Sequence, residues 1–83
     1  MSFKLWRQKQ KLYNQLYDDV LDKVEKELSW KNKELSFNQR YKLFLKDYQT
    51  YYYKKINFGK KLEDEIFNHN KLDLTFENAL SIW

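Results

Sequence analysis

A chain of 83 residues has room for one small domain, which excludes a two-domain enzyme. Its 42% hydrophobic and 34% charged residues would suit a solvated polymer, but 19% aromatic content and a net charge of only +4 predict that it folds, with rings that bury roughly 150–250 Å² each supplying most of the core. Cysteine is absent, so disulfides, thiolate chemistry and cysteine-based zinc or iron-sulfur sites are excluded, and a reducing compartment fits.

No apolar run approaches the roughly 18 residues that a bilayer span needs, and the N-terminal segment lacks the apolar stretch of a secretory signal. The expectation is a soluble, cytoplasmic protein with no membrane partner. Fourteen lysines stand against two arginines, beside seven asparagines, one alanine and no proline. Such usage resembles the AT-rich coding of low-GC bacteria and their phages or mobile elements, and accounts for part of the lysine excess.

Without proline, and with Gly59 as the single glycine, long segments favour helix. Tyr13, Leu16, Tyr17, Val20, Leu21, Val24 and Leu28 recur at steps of three and four and predict a first helix, ahead of which residues 1–11 either continue the helix past the body of the protein or form a basic arm. Two serines, Ser29 and Ser36, stand as candidate caps between the first and second helices. Ser36 is the better one, because Gln39 three residues later completes a capping box. From there Phe37, Tyr41, Phe44, Leu45, Tyr48, Tyr51 and Tyr52 share one face of a helix expected to end near Tyr53, antiparallel to the first. Asn57 is expected to cap a third helix from Phe58 to about Asn68, with Phe58, Leu62 and Ile66 or Phe67 inward. A polar loop follows, leaving room at Leu72 and Leu74 for a short strand, and Thr75 caps a last helix carrying Phe76, Ala79, Leu80 and Trp83. The fold predicted is all-α, a single-domain bundle of three to four helices: a long antiparallel hairpin and two short helices.

Catalysis requires a nucleophile, a base and an orienting group, and the one histidine, His69, falls in the polar loop. Glu63, Asp64 and Glu65 occupy consecutive helical positions that diverge from one another, and no glycine-rich phosphate loop exists. We therefore expect no enzyme, no metal and no cofactor.

Charge is unevenly placed. Residues 1–11 carry four cations and no acid, residues 36–61 carry seven cations against Asp47, and the segments between and after are net acidic. The basic zone supplies the candidate nucleic-acid-binding residues Arg40, Lys42, Lys46, Gln49, Tyr53, Lys54, Lys55, Lys60 and Lys61. Lys42, Lys46, Gln49 and Tyr53 fall in a narrow line nearly opposite the apolar stripe, and ammonium groups beside an exposed ring suit phosphates and bases. The same surface suits an acidic protein partner, since tyrosine is enriched at interface hot spots.

Tyr41 to Phe44, then Asn57-Phe58-Gly59-Lys60-Lys61-Leu62 and Ile66-Phe67, resemble the middle of winged-helix DNA-binding domains, of the regulatory factor X type and the C-terminal domain of viral and mobile-element primase-helicases. The resemblance implies Lys60 and Lys61 at phosphates and Phe58 and Leu62 in the core. It covers about a third of the chain. Glu63 to Glu65 beside the reading helix, and the lack of a basic wing, make any relative a wingless or repurposed one.

Two functions follow. The first is a non-enzymatic nucleic-acid-binding accessory protein of a phage or mobile element, associated with replication, with single- or double-stranded DNA as partner. The second is an adaptor or inhibitor that docks a larger enzyme, such as a replication enzyme, or pairs as a homo-oligomer. It would use apolar residues left over by the core: Leu5, Leu12, Leu43 and Trp83. A membrane-binding arm through Trp6, Arg7, Lys9 and Lys11 lacks the long apolar face it would need.

Overall fold

Apolar residues at helical spacing, with no proline to interrupt them, turn almost the whole chain into helix. The computed structural model describes residues 3–83 as α1 (Phe3–Lys26), α2 (Phe37–Glu63) and α3 (Phe76–Ile82), with a 3-10 turn at Ser29–Lys31 and a π turn at Asp64–Asn68. Among the described residues there is no strand, so the room left at Leu72 and Leu74 is filled by loop. None of these helices is long and apolar enough to cross a membrane. The all-α bundle is the observed architecture.

Helix α1 begins at Phe3, so of the two alternatives for the basic segment residues 3–11 take the helical one, while residues 1 and 2 lie outside the described part. It buries Leu16, Val20 and Leu21. Its outer face carries exposed pairs Lys26–Asp22 at 2.9 Å and Lys23–Glu27 at 3.3 Å, one turn apart and each contributing only a few tenths of a kcal/mol. After α1 the chain reverses through the 3-10 turn. Trp30 sets its ring edge-on to Phe44 and Tyr51, at centroid distances of 5.7 and 5.9 Å.

The capping box forms as the sequence predicts. Ser36 Oγ accepts the Gln39 amide at 3.3 Å, and Gln39 Oε1 accepts the Ser36 amide at 3.1 Å. From this cap α2 runs unbroken to Glu63, and the expected stop near Tyr53 with a new cap at Asn57 does not occur. The reason is phase. Phe44, Tyr51, Phe58 and Leu62 stay within about 40° of one another on a single continuous helix, so a break would pull the second half of the stripe off α1.

The core lies where α1, the second half of α2 and α3 meet. Leu16, Val20, Phe58, Leu62, Ile66 and Ala79 form it, with Tyr17 stacked on Phe58 at 5.9 Å and Trp83 edge-on to Phe58 at 5.7 Å. Gly59 lets α1 approach. A Cβ there would stand 3.3 Å from Tyr13 Oη and 3.5 Å from the Tyr17 ring.

At the π turn the wider coil rotates the chain less per residue. Ile66 is fully buried while Phe67 reaches the edge of Tyr13 at 6.4 Å, so the two expected alternatives both face α1. The turn ends with backbone hydrogen bonds, the His69 and Lys71 amides donating to the Asp64 and Glu65 carbonyls, and Asn70 adopts φ 54°. Thr75 then caps α3 by accepting the Asn78 amide at 3.2 Å.

The molecule measures 52 × 20 × 19 Å, with a radius of gyration of 15.6 Å against about 12 Å for a compact domain of this length. It is a short rod, because α2 outruns α1. Tyr51 lies against Glu25 near the end of α1, and most of α2 ahead of it runs past that end, with the Trp30 turn beside it.

Candidate nucleic-acid interface

The free half of α2 overturns one expectation about its apolar face. Phe44 and Tyr51 turn inward, but Phe37, Tyr41, Leu45, Tyr48 and Tyr52 are exposed, Phe37 by 73% and Leu45 by 61%. They share a sector of about 80° on the helix, which Ile56 widens to about 100°. The rings are ordered by contact along it. Phe37 stacks on Tyr41 at 6.3 Å and 10°, and Tyr48 on Tyr52 at 6.0 Å and 29°.

The next sector carries Lys42, Lys46, Gln49, Tyr53 and Lys60, all exposed and within about 60° of one another. Because the helix does not break at Tyr53, Lys60 extends the line expected for residues 42–53 to about 27 Å. Tyr52 and Tyr53 touch edge to face at 6.5 Å and so join the two sectors.

Among the described residues, the ion pairs lie on α1 and at the π turn, and none uses a cation of α2. Asp47 is half-buried, also outside any of these pairs. Among the described residues, no cation of α2 is therefore paired with a carboxylate.

The remaining candidates scatter around the helix. Lys61 and Lys54 lie about 100° from the line, and the Lys54 ammonium sits 6.0 Å from the Trp83 ring centroid. Arg40 and Lys55 are half-buried on the inward side, with Arg40 Nε buried and without a hydrogen-bond partner. Of the residues expected to be left over by the core, Leu5 is exposed. Leu12 and Trp83 instead pack against the core cluster, and Leu43 is half-buried. Trp83 is drawn in because α3 folds back across Tyr51 and Phe58.

Asp64, Glu65 and His69 come together at the π turn, their ligand atoms within 4.8 Å of one another, where a regular helix would have spread the acids. They are already partnered. Asp64 accepts from the Asn68 amide at 2.8 Å and lies 3.3 Å from His69 Nε2; Asn68 and then His69 hold its carboxyl below the usual carboxylate range. Glu65 pairs with Lys71 and raises the ammonium pKa above its ordinary value. The cluster closes the chain reversal.

The sequence reading missed the exposed aromatic stripe, although a signal for it existed. The apolar pattern of α1 runs from Tyr13 to Leu28, whereas that of α2 runs from Phe37 to Phe67, so α1 alone cannot cover it. Compared with known proteins, the chain matches no family model, and no curated protein and no solved structure is significantly similar to it.

Proposed function

We propose that this chain is a non-enzymatic nucleic-acid-binding accessory protein that holds a phosphate backbone along α2. The observation that carries this reading is the line Lys42, Lys46, Gln49, Tyr53 and Lys60 on one unbroken helix, exposed and outside every ion pair among the described residues. Ammonium groups spaced along a rigid rod release counterions from a polyanion without first giving up an internal partner. Association with a phage or mobile element, and with replication, rests on the lysine- and asparagine-rich coding and on small size.

The test is fluorescence anisotropy with labelled DNA across a salt series. Micromolar binding with a steep salt dependence is expected, and Lys42→Glu with Lys46→Glu should weaken it at least tenfold. Each lost phosphate contact should also lower the salt slope by roughly 0.7 to 0.9. Binding that ignores both salt and charge reversal rules the surface out.

A second reading, an adaptor or inhibitor docked on a larger protein, is favoured by Phe37 and Leu45, which carry no polar atom on their side chains and are the most exposed members of the stripe. Phe37→Ser with Leu45→Ser would then abolish capture of a defined partner, whereas Lys42→Glu with Lys46→Glu would leave that capture intact.

A further inference from the structure

We infer that the nucleic acid held on α2 is single-stranded, with unpaired bases stacking on the Tyr41, Tyr48 and Tyr52 stripe while the phosphates follow the adjoining lysine line. The inference rests on the function proposed above.

The argument starts from what a duplex offers. Its base faces are hidden in the stack, and only base edges appear in the grooves, read by arginine, asparagine or glutamine. The exposed line on α2 has one such reader, Gln49, among three lysines and Tyr53, with Asn38 and Asn57 at its borders. A helix in the major groove would also press the neighbouring sector, Phe37, Tyr41, Leu45, Tyr48 and Tyr52, toward phosphate walls, where apolar rings gain nothing. Single strands present flat π faces that stack on aromatic side chains regardless of sequence, with cations tracking the backbone alongside.

That is the pairing α2 displays: an aromatic sector of about 80° and a lysine sector of about 60° side by side. The Tyr52–Tyr53 contact at 6.5 Å joins them midway along the helix. Charge complementarity also selects this occupant over a second copy. Two such helices face to face would oppose their own unpaired lysines, whereas a single strand meets rings with bases and lysines with phosphates.

The probes are a fluorescein-labelled oligo(dT) 20-mer, an oligo(U) 20-mer and a 20-base-pair duplex, each at the same two salt concentrations. A single strand should bind at least tenfold tighter than the duplex. The two 20-mers separate DNA from RNA as the source of the strand. Tyr41→Leu with Tyr52→Leu keeps apolar bulk but removes the stack; it should weaken 20-mer binding about tenfold per ring and leave the salt slope unchanged. Tyr41→Phe should retain affinity. Lys42→Gln with Lys46→Gln should lower the slope instead. Quenching of tyrosine emission in the unaltered protein by oligo(dT) gives a readout that needs no variant.

Equal affinity for duplex and single strand, with the leucine variant unaffected, overturns this inference and leaves the proposed function standing. Loss of binding to duplex and 20-mer alike in the leucine variant also overturns it. Failure of every probe to bind at low salt overturns the proposed function itself.

Discussion

Tyr51 ties the free and covered halves of α2 together. Its hydroxyl donates to the Glu25 carboxylate across 26 positions of sequence, and its ring meets Trp30, Tyr48 and Trp83. Burial first, and then the bond to Glu25, push the phenol well above its ordinary value of 10.0. A raised folded-state pKa means the contribution is complete below the unfolded value near 10 and is lost as pH rises beyond it. Tyr51→Phe should therefore cost about 1 kcal/mol in urea melts at pH 7. It should also soften the fall in stability expected of the unaltered protein above pH 10.

Gly59 makes the opposite prediction. An added Cβ meets Tyr13 Oη at 3.3 Å, and that atom is the far end of a half-buried side chain that can shift by a few tenths of an ångström. Alanine gains up to about 1 kcal/mol of helix propensity. Gly59→Ala should raise the melting temperature and Gly59→Leu should lower it, since only the larger side chain displaces both tyrosines. Legibility at this scale follows separation in sequence. The Ser36–Gln39 box was readable because both partners lie within one turn, whereas Tyr51–Glu25 depends on how two helices meet.

Among the elements, α2 carries the clearest test of the architecture. Its first half has no helix beside it, so the cap at Ser36 holds amide groups that no tertiary packing secures. Ser36→Ala should cost about 1 kcal/mol. Hydrogen exchange should place the loss in residues 37–48, with protection around Phe58 and Leu62 unchanged. Equal loss at Leu62 would mean that α2 melts as one unit.

Helix type was legible because proline is absent and the apolar period is clear. Continuity was not. Asn57 and Gly59 read as a cap and a weak point, yet the seven-residue spacing of Phe44, Tyr51 and Phe58 keeps the stripe in phase, and packing against Tyr17 outweighs a local preference. The π turn was illegible for the same reason: the pattern offers both Ile66 and Phe67, and only contact with α1 decides that both turn in. For the candidate interface, the lysine line could be read from spacing alone, but exposure of the stripe depends on where α1 ends.

The whole molecule is under-packed for its length. It exposes 6555 Å², about 1,100 Å² more than the roughly 5,400 Å² expected of a compact monomer of its mass. One side of a standard interface covers about 800 Å². A core of this size rarely supplies more than about 3–5 kcal/mol, so the free protein should unfold at modest urea concentration. An oligonucleotide at a hundred times its dissociation constant should add about 2.7 kcal/mol, seen as a rise in melting temperature that grows with ligand concentration. A melting temperature indifferent to every oligonucleotide would mean that the exposed surface is covered by something else.

The positions of the three tryptophans give the protein two separate optical reporters. Trp30 and Trp83 both touch Tyr51, so their emission follows the middle of the rod and collects excitation energy from the tyrosines around it. Trp6 stands half-exposed on α1, far from that cluster along the chain. In Trp6→Phe the remaining emission should shift red in a single step with global unfolding. A red shift that precedes this step in the unaltered protein and is missing in Trp6→Phe belongs to the start of α1, so the two spectra together separate fraying of that end from collapse of the centre.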